Sequence, residues 1–191
     1  MTRVTADNSL ISGSGPITVA DLAELPDDGR RYELLDGVLI VSPAPGTRHQ
    51  AITYRLYGVL EAACPAELAV LGAPYAVHVG ENTELQPDLL IGRLADFTAT
   101  DLPAAPVLVV EVASPSTALI DRNTKKAAYA RMGVAHYWII EPAGPRLTAY
   151  RSADGEYHEV ATAIGAETFT ATTPFPVRFV PRDLLGPFAN C

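Results

Sequence analysis

Two carboxylates stand where strand propensity alone would not put them. Asp88 opens an apolar run, Pro87-Asp88-Leu89-Leu90-Ile91, and Glu111 closes another that begins at Val107. A buried strand carries an ionised carboxylate only where something compensates the charge. A divalent cation is one such compensation. Mg²⁺ takes oxygen ligands and keeps several waters, so two carboxylates and a backbone carbonyl are a sufficient protein set. An ion held there can acidify a water and neutralise charge developing on a phosphate. The plainer alternative is that Asp88 merely opens a strand after Pro87 and Glu111 merely caps a turn. Glu33 is a third acid, set in the apolar run Tyr32-Glu33-Leu34-Leu35. Strand alternation turns one face of such a run to water, so Glu33 has an exposed alternative as well.

A cation is available from the segment after Glu111. Asp121, Lys125 and Tyr129 recur at four-residue steps and share one face of a helix. Aimed at the acids, Lys125 would hold an attacking water or stabilise charge in the transition state; facing solvent, it would only pair with Asp121. Arg122 and Arg131 can meet phosphate, with solvation as their default. His49, at a helix start, can donate to a phosphate or join a metal's outer shell; the alternative is an ordinary satisfied polar residue. No Cys/His cluster has zinc-ligand spacing. No Gly-rich phosphate loop follows a strand.

The elements that must position these groups are readable from periodicity. Residues 106–138 give strand, turn, helix and strand, a βαβ unit whose two strands normally run parallel. The turn is Ser114-Pro115-Ser116, and Gly133 stops the helix. Before this unit, residues 18–25 predict a short helix with Thr18 as N-cap, and Asp36-Gly37 predicts a hairpin. Ile52, Leu56, Val59, Leu60 and Ala63 make one apolar stripe of a helix over 47–63. Strands are expected near 68–71, 74–79 and 87–91, and a short turn near 94–97. After the unit, Asp154-Gly155 predicts a second hairpin. Short strands at 168–170 and 177–179 and a helical turn at 181–185 follow. The expectation is an α/β or α+β domain with one mixed sheet centred on the βαβ unit. Residues 1–16 read as a Ser/Gly-containing flexible tail, and 17–191 as a single domain.

Composition bounds the function. At 191 residues the chain can bury a sizeable core. Its net charge of −8 counts against a broad nucleic-acid surface, though not against a small basic patch beside an acidic site. No apolar run reaches transmembrane length, and the N-terminus has no apolar signal core. Two cysteines do not make a disulfide framework, so the cytoplasm is the default location. The aromatic and Val-rich C-terminal strands either cover the core or make a dimer contact; a homodimer is the expectation.

Taken in order, Tyr32-Glu33-Leu34-Leu35-Asp36-Gly37, His49 at a helix start, Pro87-Asp88, Glu111-Val112-x-Ser114-Pro115-Ser116, Lys125-x-x-x-Tyr129 and Gly133-Val134-x-x-Tyr137-Trp138-Ile139 resemble the Uma-two family. That resemblance spans roughly residues 18–179 and implies a restriction-endonuclease-like PD-(D/E)XK fold. It implies a Mg²⁺- or Mn²⁺-dependent endonuclease acting on nucleic acid, DNA before RNA. Asp88 and Glu111 would then hold the metal with the Val112 carbonyl, and Glu33 would bind a second ion or orient water. His49, Arg122 and Tyr129 would lie at the substrate, Tyr129 also orienting Lys125. The superfamily's usual lysine, two residues after the second acid, is replaced by Ala113. The resemblance implies that Lys125 supplies it from the next helix. The acidic charge and Ala113 favour a rival of another class: a nuclease-fold protein that binds nucleic acid or a partner without cutting.

Overall fold

The computed structural model describes residues 5–6, 16–26, 28–114 and 120–190. Within the segment expected as tail, a two-residue strand, β1 (Thr5–Ala6), lies against the first hairpin. Helix α1 (Val19–Ala23) starts where Thr18 accepts from the Asp21 N–H, while the Asp21 carboxylate accepts from the Thr18 N–H, a reciprocal cap. Strands β2 (Arg31–Leu35) and β3 (Val38–Ser42) form the hairpin predicted at Asp36-Gly37. Both turn residues have positive φ, 51° and 77°, which is the twist a two-residue hairpin needs.

Helix α2 (Thr47–Ala63) covers the predicted range, with Ile52, Leu56 and Leu60 fully buried. Strands β4 (Leu68–Gly72), β5 (Ala76–His78), β6 (Glu84–Leu85) and β7 (Leu89–Arg93) follow. A 3₁₀ turn (Leu94–Asp96) and strand β8 (Asp101–Leu102) lead to the central strand β9 (Leu108–Val112). The Ser-Pro-Ser turn after it falls largely outside the described residues.

The helix carrying Lys125 begins with a wide π turn, Ile120–Lys125, before α3 (Lys126–Arg131). It ends as predicted at Gly133, whose φ is 85°. There the Gly133 N–H donates to the Ala130 carbonyl and the Val134 N–H to the Tyr129 carbonyl, a Schellman closure. Strands β10 (His136–Glu141), β11 (Arg146–Ala153) and β12 (Glu156–Ile164) make an antiparallel meander. A small pair, β13 (Phe169–Ala171) and β14 (Val177–Phe179), precedes a C-terminal 3₁₀ segment, Pro181–Asn190, broken at Gly186. That segment is longer than the single turn expected.

The strands form two six-stranded sheets where one was expected. The main sheet runs β12-β11-β10-β9-β7-β4, and only β9–β10 is parallel, the signature of the βαβ unit. The second sheet runs β1-β3-β2-β6-β5-β8. The split follows from β2, whose outer neighbour is β6 through the pair Leu34↔Glu84, not a strand of the main sheet. Alternation along β9 then builds two cores. Val110 and Val112 face α2, Trp138 and the C-terminal Phe169, Phe175 and Val177. Val109 and Ala113 face Leu35, Leu85, Ala128, Tyr129 and Tyr137. The C-terminal strands therefore cover the core. No helix among the described residues is long and apolar enough to cross a membrane.

Candidate active site

Glu111 lies between Val109 and Ala113 on the β9 face that meets α3. Asp88 immediately precedes Leu89, which pairs with Val110 across the sheet. One step further along this antiparallel register sets Asp88 opposite Glu111. The two acids are joined through the backbone, because the Val112 N–H donates to Asp88 Oδ2 at 2.8 Å. It is thus the N–H of Val112 that holds Asp88. Both carboxylates are buried, Asp88 at 4% exposure and Glu111 at 1%.

Glu33 is wholly buried, so its solvent-facing alternative falls. It sits on β2 with Leu35, on the face turned toward α3. Its Oε1 accepts from Lys125 Nζ at 2.8 Å and from the Gln86 N–H at 2.9 Å. The same ammonium reaches Glu111 Oε1 at 3.2 Å. Lys125 is buried and bridges two acids from different sheets. Ala113 explains why a helix can deliver this amine. It shares the face of Glu111 and packs in the same cluster as Ala128 and Tyr129, and a methyl there leaves room for Lys125 to reach across.

Tyr129, expected at the substrate, has no exposed surface; its hydroxyl donates to Glu111 Oε1 at 2.9 Å. It positions the acid that Lys125 also touches. Burial, then the charges of Glu111 and Glu33, push its phenol well above the ordinary range, so it stays a donor. The side chain of Arg122 lies outside the described residues, as does that of Asp121. Arg131 pairs with Asp36 on the surface, away from these acids.

His49 does reach the site. Its Nε2 lies 3.0 Å from Asp88 Oδ2, and Thr53 lies 3.5 Å from its Nδ1. A residue not singled out from sequence completes the group. Arg31 Nη1 donates to Asp88 Oδ1 at 3.2 Å and to the Gln86 carbonyl at 3.4 Å, and its Nε lies 3.9 Å from Glu33 Oε2. The signal was present: residues 31 and 33 share a face of one strand. Burial alone would lower the Arg31 pKa, but the charges of Glu33, Asp88 and Glu111 outweigh it and raise it. Burial alone would likewise raise the Asp88 carboxyl. The His49 imidazole, Arg31 and the Val112 N–H reverse this and hold it at about 2.

The site thus has two tiers. Glu33, Lys125, Glu111 and Tyr129 form a sealed inner tier. Asp88, Arg31 and His49 line an open cavity of about 440 Å³. Among the described residues three carboxylates, Glu33, Asp88 and Glu111, meet Arg31, Lys125 and the His49 imidazole. Glu33 Oε2 is also buried without a hydrogen-bond partner. Hard oxygens and an unsatisfied carboxylate oxygen fit a water-rich Mg²⁺ or Mn²⁺ site. They do not make a protein cage: no group of three His, Cys, Asp or Glu among the described residues converges to hold an ion.

A mixed α+β chain with strand-end acids at a βαβ centre defines the class, the restriction-endonuclease-like fold. The chain belongs to the Uma2 family, described as "Putative restriction endonuclease", whose model matches residues 19–183. Among solved structures it is similar to one titled a "putative nuclease belonging to DUF820" from Anabaena variabilis. The two share 19% identity over 91% of this chain and 99% of the other, with a TM-score of 0.69. No curated protein matches the chain.

Proposed function

We propose that the protein is a divalent-metal-dependent nuclease that hydrolyses phosphodiester bonds in DNA. The observation that carries this reading is the register that, one step beyond the Leu89↔Val110 pair, sets Asp88 opposite Glu111, with Lys125 Nζ 3.2 Å from Glu111. Family membership and the nuclease title of the similar structure support it. Asp88 and Glu111 would hold Mg²⁺ or Mn²⁺ with the Val112 carbonyl. A bound ion supplies Lewis-acid stabilisation of the phosphate and a more acidic water.

The chain's own residues do the rest. Arg31 and His49, at the cavity, receive the phosphate. Lys125, fixed by Glu33, is placed to stabilise negative charge as the oxygen of an attacking water bonds to phosphorus and the P–O bond to the leaving nucleotide breaks. Tyr129 and Gln86 keep Glu111 and Glu33 from turning away from that amine.

Plasmid nicking tests the reading. Cleavage is expected with Mg²⁺ or Mn²⁺ and none with excess EDTA; equal cleavage in EDTA would reject a metal-dependent site. A second reading is a nuclease-fold protein that binds nucleic acid without cutting it. It is favoured by Lys125 and Arg31 already sitting on the acids, and by the absence of a three-ligand group among the described residues. Calorimetric titration with Mn²⁺ separates the two, since a folded protein that gives no binding heat would be the non-catalytic form.

A further inference from the structure

Helix α2 has two working faces. Ile52, Leu56 and Leu60 enter the core. Gln50, Thr53, Tyr54 and Tyr57, at spacings of three and four, lie on a second face that lines the cavity beside Asp88. Tyr54 is 71% exposed there. No hydrogen bond or ring contact restrains its side chain among the described residues. Tyr54 thus offers an exposed aromatic ring at the cavity, the kind of surface on which any base can stack. The same cavity is lined by Pro43 and Pro45 from the loop before α2 and by Arg31, His49 and Asp88.

We propose that this cavity is a nucleobase subsite in which an unpaired base stacks on Tyr54 while its phosphate meets Arg31 and His49. The inference rests on the nuclease reading and adds a substrate class: DNA with single-stranded character. Three observations favour a single base over a duplex. A volume of about 440 Å³ suits one small ligand, not a double helix. The chain carries 14 Lys and Arg against 22 Asp and Glu, so it lacks the cations that hold a duplex by its phosphates. Stacking needs no such surface, and one base on an aromatic ring contributes about 1–3 kcal/mol. Tyr54 and Tyr57 line the same cavity as Arg31 and His49, so a base seated there has cations for its phosphate nearby.

The test is fluorescence anisotropy in EDTA and low salt, with a labelled oligothymidylate and the same strand paired with oligoadenylate. Wild type is expected to bind the single strand more tightly than the duplex. Tyr54→Ala should weaken single-strand binding by about 5- to 150-fold, the effect of one lost stack. Tyr54→Phe should keep it, because the ring remains. Tyr54 is exposed, so truncating it leaves the core intact, and unchanged thermal melting of both variants checks this. If wild type nicks plasmid but Tyr54→Ala binds the single strand like wild type, the subsite is overturned and the nuclease reading stands. Tighter binding of the duplex by wild type would overturn it too. If wild type neither cleaves nor binds nucleic acid, both fall together.

Discussion

Lys125→Met is expected to lose cleavage and to destabilise the fold by about 3–5 kcal/mol, the cost of removing one partner from a buried ion pair. Methionine keeps most of the stem volume, so the loss is electrostatic and not that of a cavity. Without the ammonium, Glu33 and Glu111 confront each other as buried carboxylates from two different sheets. Urea unfolding gives the readout, and for a chain of this size the melting temperature should fall by roughly 10 °C. A folded Lys125→Met variant with an unchanged urea midpoint would show that the amine does not hold the sheets together. The pairing itself is checked by the double variant Glu33→Gln/Lys125→Met. It should be less destabilised than the sum of the two single changes, because the variants share one interaction. Cleavage is then measured at a temperature where the single variant is fully folded. Activity surviving there would remove Lys125 from the reaction.

Much of this arrangement was legible in the chain because its signals are local. The α2 boundaries follow from one apolar stripe between two proline-bearing breaks. Asp36-Gly37 and Gly133 mark their turns by positive φ, which few other residue types supply cheaply. The strand-end acids stood out because they contradict their surroundings. What stayed hidden is non-local. Burial of Glu33 depends on β2 pairing with β6 and packing beneath α3, and neither contact leaves a trace in residues 31–35. Periodicity proposes a strand but not its neighbour, so one sheet was expected where there are two. Gln86 acts through its N–H, a group every residue but proline owns. The π turn before α3 is likewise a matter of backbone hydrogen bonding, invisible to a pattern of side chains. Tyr129 was expected at the substrate because its helix face was right, but its depth was not readable from spacing.

Asp88→Asn is expected to reduce cleavage by more than the ~10–100-fold that outer-shell changes around a metal typically cause. The variant also separates charge from shape. Asparagine can still accept from the Val112 N–H, but its amide would then turn a donor toward the Arg31 guanidinium, which needs an acceptor. The pH dependence gives the second readout. Asp88 is held at about 2, against an ordinary value of 3.8. Above pH ~4 the carboxylate is ionised in both folded and unfolded chains, and its contribution of about 2 kcal/mol is fully present. As pH falls from there, the unfolded chain takes up the proton first, so the contribution shrinks; once pH drops through about 2 it is gone. The stability gap between wild type and Asp88→Asn should therefore narrow by about 2 kcal/mol as pH falls from ~4 to ~2. Urea unfolding at neutral and acid pH measures it. A gap that stays constant down to pH ~2 would mean that Asp88 is not held as an anion by Arg31 and His49.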